Sequence, residues 1–167
     1  MKRLIGTLAL LAAAIAVGLL TREYLVAISG VAGDSMQSTL ASGDTVLITR
    51  FDYLVSPPER GDVVQLEVPG RDGLYLKRVI GLPGDEVEII SGNVYINGQV
   101  LYEPYATLSQ DDFCITLGAD EYFVLGDNRP VSYDSREEEF GVISASCFRG
   151  RVRAIVWPIE RIRFGIE

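Results

Sequence analysis

The sequence predicts a mainly β fold, built of antiparallel sheets and preceded by one N-terminal transmembrane helix. Three observations carry that expectation. Short apolar or alternating runs recur after Thr21, separated by Gly, Pro and Asp clusters. No helical period of useful length appears among them. Residues 4–20 form an apolar run without charge or proline. The chain of 167 residues then divides into two parts. Residues 1–22 are expected to be a cytoplasmic N-terminus and membrane anchor. Residues 23–167 are expected to be an extracytoplasmic β-rich domain.

The first element is the apolar run. A span needs about 20 apolar residues, with a tolerated range starting near 17. A secretory signal uses only about 7–15 and then a small-residue cleavage site. An Ala-x-Ala does occur at residues 12–14, but a cut there would leave a hydrophobic stub. Lys2 and Arg3 precede the run, which places that end in the cytoplasm. Residues 24–32 are largely apolar and suited to dip into the membrane surface.

Strands are expected at residues 45–49, 62–68 and 74–80. Residues 86–90, the turn Ser91-Gly92-Asn93 and residues 94–96 read as a hairpin. Asn97-Gly98 follows and is a strong tight-turn signal. Residues 101–112 are mostly polar, carry no positive charge and read as a loop excursion. Asp111-Asp112 reads as a solvated turn. Strands at 122–125 and 152–157 complete the set. Arg149, Arg151 and Arg153 alternate, so they share one strand face and are expected to pair with some of the many acids.

Composition narrows the chemistry. The net charge is −8, and the pI is near 4.6, which argues against a nucleic-acid partner, since a phosphate binder needs a basic face. Cys114 and Cys147 are the two cysteines, and a disulfide or two semi-buried thiols fit equally well. No His/Cys cluster offers a metal a ligand set, and no cofactor motif appears. The chain has no histidine, which removes the Ser-His-Asp and Cys-His sites. Lys77 is the one lysine after Lys2. Lysine, unlike arginine, can give up its proton when buried.

Three segments carry more chemistry than a plain β-domain needs. Gly33-Asp34-Ser35-Met36-Gln37-Ser38-Thr39-Leu40 joins the anchor to the first strand, and a Ser/Thr-rich linker would look similar. In Tyr75-Leu76-Lys77-Arg78-Val79-Ile80-Gly81-Leu82-Pro83-Gly84-Asp85, strand alternation puts Tyr75, Lys77 and Val79 on one face. A snorkelling strand lysine would fit too. Gly126-Asp127-Asn128-Arg129-Pro130-Val131-Ser132-Tyr133-Asp134-Ser135-Arg136 is dense in hydrogen-bonding groups, more so than an Asx-turn loop requires.

In this order and at this spacing the three segments resemble the boxes of the bacterial type I signal peptidases, serine proteases with a Ser-Lys dyad. The resemblance covers nearly the whole chain. It implies Ser35 as nucleophile, Lys77 as general base and Ser132 as the residue that orients the lysine. It also implies a supporting Asp134–Arg136 ion pair, with Asp127 and Arg78 nearby. The natural oxyanion donor is the Ser35 backbone N–H. Many relatives supply a second donor from a serine two residues earlier, where this chain has Gly33. The substrates implied are exported preproteins cut at Ala-x-Ala-like sites beside the lipid bilayer. Two departures stand out: Ser38 replaces the family's usual proline, and Glu137-Glu138-Glu139-Phe140 before Gly141 holds two extra residues. A self-cleaving repressor of the LexA type also uses Ser-Lys, but lacks an anchor. A conjugative-transfer peptidase and a non-catalytic membrane-anchored binding domain are the remaining alternatives.

Overall fold

The computed structural model describes residues 6, 7, 10–12, 14, 18 and 25–166. The anchor expected at residues 4–20 falls largely outside the described residues. Those described within it are helical. Among the described residues no helix is long and apolar enough to cross a membrane.

Two antiparallel sheets form the rest. The larger has seven strands in the order β1-β2-β10-β3-β4-β9, with β11 paired to β10. These are β1 (Val26–Gly30), β2 (Thr45–Thr49), β3 (Val63–Leu66), β4 (Tyr75–Gly81), β9 (Phe123–Leu125), β10 (Phe148–Trp157) and β11 (Arg163–Phe164). The smaller has the order β7-β6-β5-β8, from β5 (Glu86–Ile90), β6 (Asn93–Ile96), β7 (Gln99–Val100) and β8 (Phe113–Thr116).

Period-2 alternation fills the core on both faces of the large sheet. Val64, Leu66, Val79 and Val124 pack with Phe140 and Phe148 on one face. Val46, Ile48, Val63 and Val152 pack with Met36 and Leu40 on the other. Beside the small sheet, Val87, Ile89, Val94 and Ile96 meet Ile80, Phe123 and Leu125.

The predicted hairpin is present, with Ser91 and Gly92 both at positive φ (48° and 81°), as a two-residue primed turn requires. Asn97-Gly98 makes the second such turn, at φ 51° and 76°. There the Asn97 side chain accepts from Glu86 N–H and donates to Asp85.

Four strands were not expected: β1, β7, β8 and β11. Residues 26–30 form β1 at the edge of the large sheet, where the apolar pattern alone reads as membrane contact. Ile28 stays 69% exposed. β8 pairs with β5 through a short run, Phe113–Thr116, too brief for periodicity to mark. The arginine face behaves as expected: Arg149, Arg151 and Arg153 pair with Glu67, Asp62 and Asp52. Both cysteines are free thiols, Cys114 exposed and Cys147 buried.

Candidate active site

Three chain segments converge beside β4. The first, residues 32–42, leaves β1 and returns to β2. The β1–β2 ladder closes beneath it, with Val31 N–H on Asp44 O at 2.8 Å and Gly43 N–H on Val31 O at 3.0 Å. Met36 and Leu40 are buried in the core and pin the loop. A turn bonded from Leu40 N–H to Met36 O at 2.8 Å shapes it. Ser35 is left half-buried at the mouth.

Lys77 sits mid-strand in β4, opposite Val64 of β3, and is 3% exposed. Its Nζ donates to Ser35 Oγ at 2.9 Å. Its pKa is lowered from 10.5 to about 8. Burial is the largest cause; Arg136 adds to the depression, while Asp134 and Asp127 oppose it. Desolvation disfavours the ammonium because the charged form loses its water.

The third segment follows β9. The register of β4 on β9 sets Arg78 opposite Leu125, so the chain leaving Leu125 delivers Asp127 to the Arg78 guanidinium. Arg78 Nε and Nη2 donate to Asp127 at 2.9 and 2.8 Å, both side chains being 1% exposed. The Thr39 hydroxyl also donates to Asp127, which ties the serine segment to the same carboxylate. Arg136 makes the expected pair with Asp134, at 2.8 and 3.0 Å. Asp134 also accepts from Gly126 N–H at 3.0 Å.

Ser132 is buried. Its Oγ has no hydrogen-bond partner among the described residues, so the bond to Lys77 implied by the resemblance is not formed here. Gly33 adopts φ +87°. The backbone N–H of Ser35 likewise donates to nothing among the described residues.

Residues 137–141 form a tight turn, with Phe140 and Gly141 N–H both on Glu137 O. Phe140 then packs edge-on against Tyr75 and Tyr133. Asp111 is exposed, as expected of a solvated turn residue, and also pairs with Arg136.

Several supporting residues carried no assigned role in the sequence reading. Asn128 N–H donates to Ser35 O at 3.0 Å and its side chain to Asp34 O at 3.1 Å. Gly126 has no room for a side chain: a Cβ there would lie 2.2 Å from Ser132 Oγ and 2.4 Å from Ser35 O. Thr39, Gly126 and Asn128 all lie inside the quoted motifs, and that membership was the available signal.

Two clefts open from the Ser35–Lys77 pair. One, of about 210 Å³, runs between Ser29–Gly33 and Leu74–Lys77. The other, of about 500 Å³, is bounded by Gln37, Asn128, Val131 and Tyr133.

Residues 3–157 match the family model described as signal peptidase, peptidase S26. The chain belongs to that family. It is 34% identical over 166 residues to a probable signal peptidase I-2 of Synechocystis, covering 95% of this chain and 74% of that one. It is 34% identical to signal peptidase I S of Bacillus subtilis, covering 90% and 87%. Among solved structures, a signal peptidase I from Enterococcus faecalis superposes with a TM-score of 0.52 at 34% identity. That match covers 57% of this chain and 97% of the other.

Proposed function

We propose that this member of the signal peptidase family is a membrane-anchored serine endopeptidase that cleaves signal peptides from exported preproteins with a Ser35–Lys77 dyad. The observation that carries this reading is the 2.9 Å contact between Ser35 Oγ and a lysine Nζ withdrawn from water. A pKa of about 8 leaves roughly a tenth of the molecules with a neutral amine at pH 7. Substrate docking removes more water and raises that share.

The neutral Lys77 amine takes the Ser35 hydroxyl proton as Oγ bonds to the scissile carbonyl carbon. The carbonyl π pair moves onto oxygen, where the Ser35 backbone N–H, with that of Gly33 beside it, supplies donors. Collapse breaks the C–N bond, and the Lys77 ammonium protonates the leaving amine. Lys77 then deprotonates a water that attacks the acyl-enzyme, releasing the carboxylate and Ser35. The buried Ser132 hydroxyl, unpartnered among the described residues, is the group available to orient Lys77 once substrate docks. Asp134–Arg136 and Asp127–Arg78 hold the boxes in place.

The narrower cleft, lined by Ala32, Gly33 and the β1 end, fits small side chains before the cut. The free edge of β1 offers backbone groups to an extended substrate. The uncharged run at 4–20 behind Lys2 and Arg3 supports a single-pass anchor with a cytoplasmic N-terminus. Exposed Ile28, Trp157 and Phe164 support a catalytic domain lying against lipid.

The test is cleavage of a preprotein bearing an Ala-x-Ala site by the wild type, Ser35→Ala and Lys77→Ala. Cleavage by the wild type alone is expected. Equal cleavage by all three rules the mechanism out.

A further inference from the structure

Residues 101–112 read as a loop excursion in the sequence, and Tyr102 and Leu108 are indeed exposed. The segment is nonetheless fastened to all three boxes. The Ser38 hydroxyl, in the serine segment, donates to the Tyr105 carbonyl. The Tyr105 ring lies 3.7 Å from the guanidinium carbon of Arg78, the residue next to Lys77. The Tyr105 hydroxyl donates to Glu103 at 3.0 Å, and Glu103 forms a buried pair with Arg129 of the third segment. Thr107 N–H donates to Asp127 O at 2.8 Å.

We propose that Tyr105 is a positioning residue, through which the 101–112 segment clamps the serine box against the Arg78–Asp127 pair and so sets the Ser35–Lys77 geometry. The proposal rests on the dyad reading above.

Two physical arguments support it. First, Ser38 sits at φ +97°, a region that side-chain-bearing residues avoid. Its hydroxyl bond to Tyr105 anchors that residue from the side chain. Proline cannot reach this φ, so the chain's departure from the family's usual proline and its tether to Tyr105 form one arrangement. Second, the Tyr105 ring covers the face of Arg78 while Asp127 and Thr39 take its edges. With face and edges both engaged, the guanidinium has little freedom to tilt. Asp127 in turn bonds Thr39, four residues beyond Ser35. A loosened Arg78 therefore transmits slack to both members of the dyad.

The experiment is steady-state cleavage of the same preprotein by the full-length protein, with kcat and KM measured for the wild type, Tyr105→Leu, Tyr105→Phe and Ser38→Ala. Tyr105→Leu loses the ring face and is expected to drop kcat by about tenfold or more with KM within about twofold, as positioning loss predicts. Tyr105→Phe keeps the ring and is expected to stay within about threefold of wild-type kcat. Ser38→Ala is expected to lower kcat by roughly threefold to tenfold at unchanged KM; it carries the test if Tyr105→Leu fails to fold. Wild-type kcat in Tyr105→Leu, equal losses in the Leu and Phe variants, or an effect confined to KM overturns the proposal, as does unchanged kcat in Ser38→Ala. Failure of the dyad reading is distinguishable, because it appears as equal cleavage by wild type and Ser35→Ala.

Discussion

Around β4 and β9 the large sheet encloses Lys77, Arg78, Asp127, Ser132 and Asp134, none more than 7% exposed. The four-stranded sheet encloses Val87, Ile89, Val94 and Ile96 instead. Both regions are antiparallel, and both are pinned by turns at positive φ. They differ in what burial achieves. In the small sheet it removes apolar area from water, at about 25 cal/mol per Å². Near β4 it strips water from ions, which is unfavourable unless each ion is paired. The pairs Arg78–Asp127 and Arg136–Asp134 meet that condition. Lys77 faces a serine hydroxyl instead of a direct carboxylate partner, so its burial is expressed as a lowered pKa. Buried ions therefore cluster around β4, while the small sheet's interior strand faces are apolar.

That contrast can be broken by mutation. The largest effect is expected at Lys77. Lys77→Arg keeps a cation that cannot be neutralised, so it should lose about 10³-fold in cleavage rate. Glu88→Gln in β5 should leave initial rates unchanged. Next is Asp127→Ala, which strands the Arg78 guanidinium in the interior and should lower stability by about 3–5 kcal/mol in chemical denaturation. Glu88→Ala should stay within about 0.5 kcal/mol.

pH sharpens the same comparison. Below about pH 8 both folded and unfolded chains hold the Lys77 proton, and the folded one bears the full cost of the buried charge. Between there and 10.5 the unfolded chain binds the extra proton, so stability from this group rises with pH. Lys77→Met should therefore be more stable than wild type by about 3 kcal/mol at pH 7. The difference should fade as pH approaches 10.5, as urea titrations at several pH values would read. Wild-type cleavage should climb with pH and level off above about 8. The smallest effects are expected at glycines. Gly126→Ala should cost about 2 kcal/mol through overpacking, against about 1 kcal/mol for Gly98→Ala, where only φ is unfavourable. Thermal melts would rank them.

How much of this was legible depended on sequence separation. Ser91-Gly92 and Asn97-Gly98 were readable because turn chemistry is local. The Arg149, Arg151 and Arg153 face was readable because alternation is local. Ser35 and Lys77 were joined only through resemblance to a family, since nothing in either segment names a partner 42 residues away. The β1 strand was not legible as a strand because an apolar run looks the same whether lipid or a neighbouring strand covers it. Tyr105 was not legible at all: its partners Ser38 and Arg78 lie in other segments, and a tyrosine in a polar loop carries no sign of a guanidinium beneath it.

Gly126 has a consequence for how such a chain can change over generations. One obstacle to a side chain there is Ser132 Oγ, and a mutation at 132 can remove it. The other is the carbonyl oxygen of Ser35, which every amino acid carries. No second substitution at 35 abolishes that atom, so lineages can exchange the serine but not escape the glycine. Position 126 should stay glycine even in descendants in which residue 35 is no longer serine.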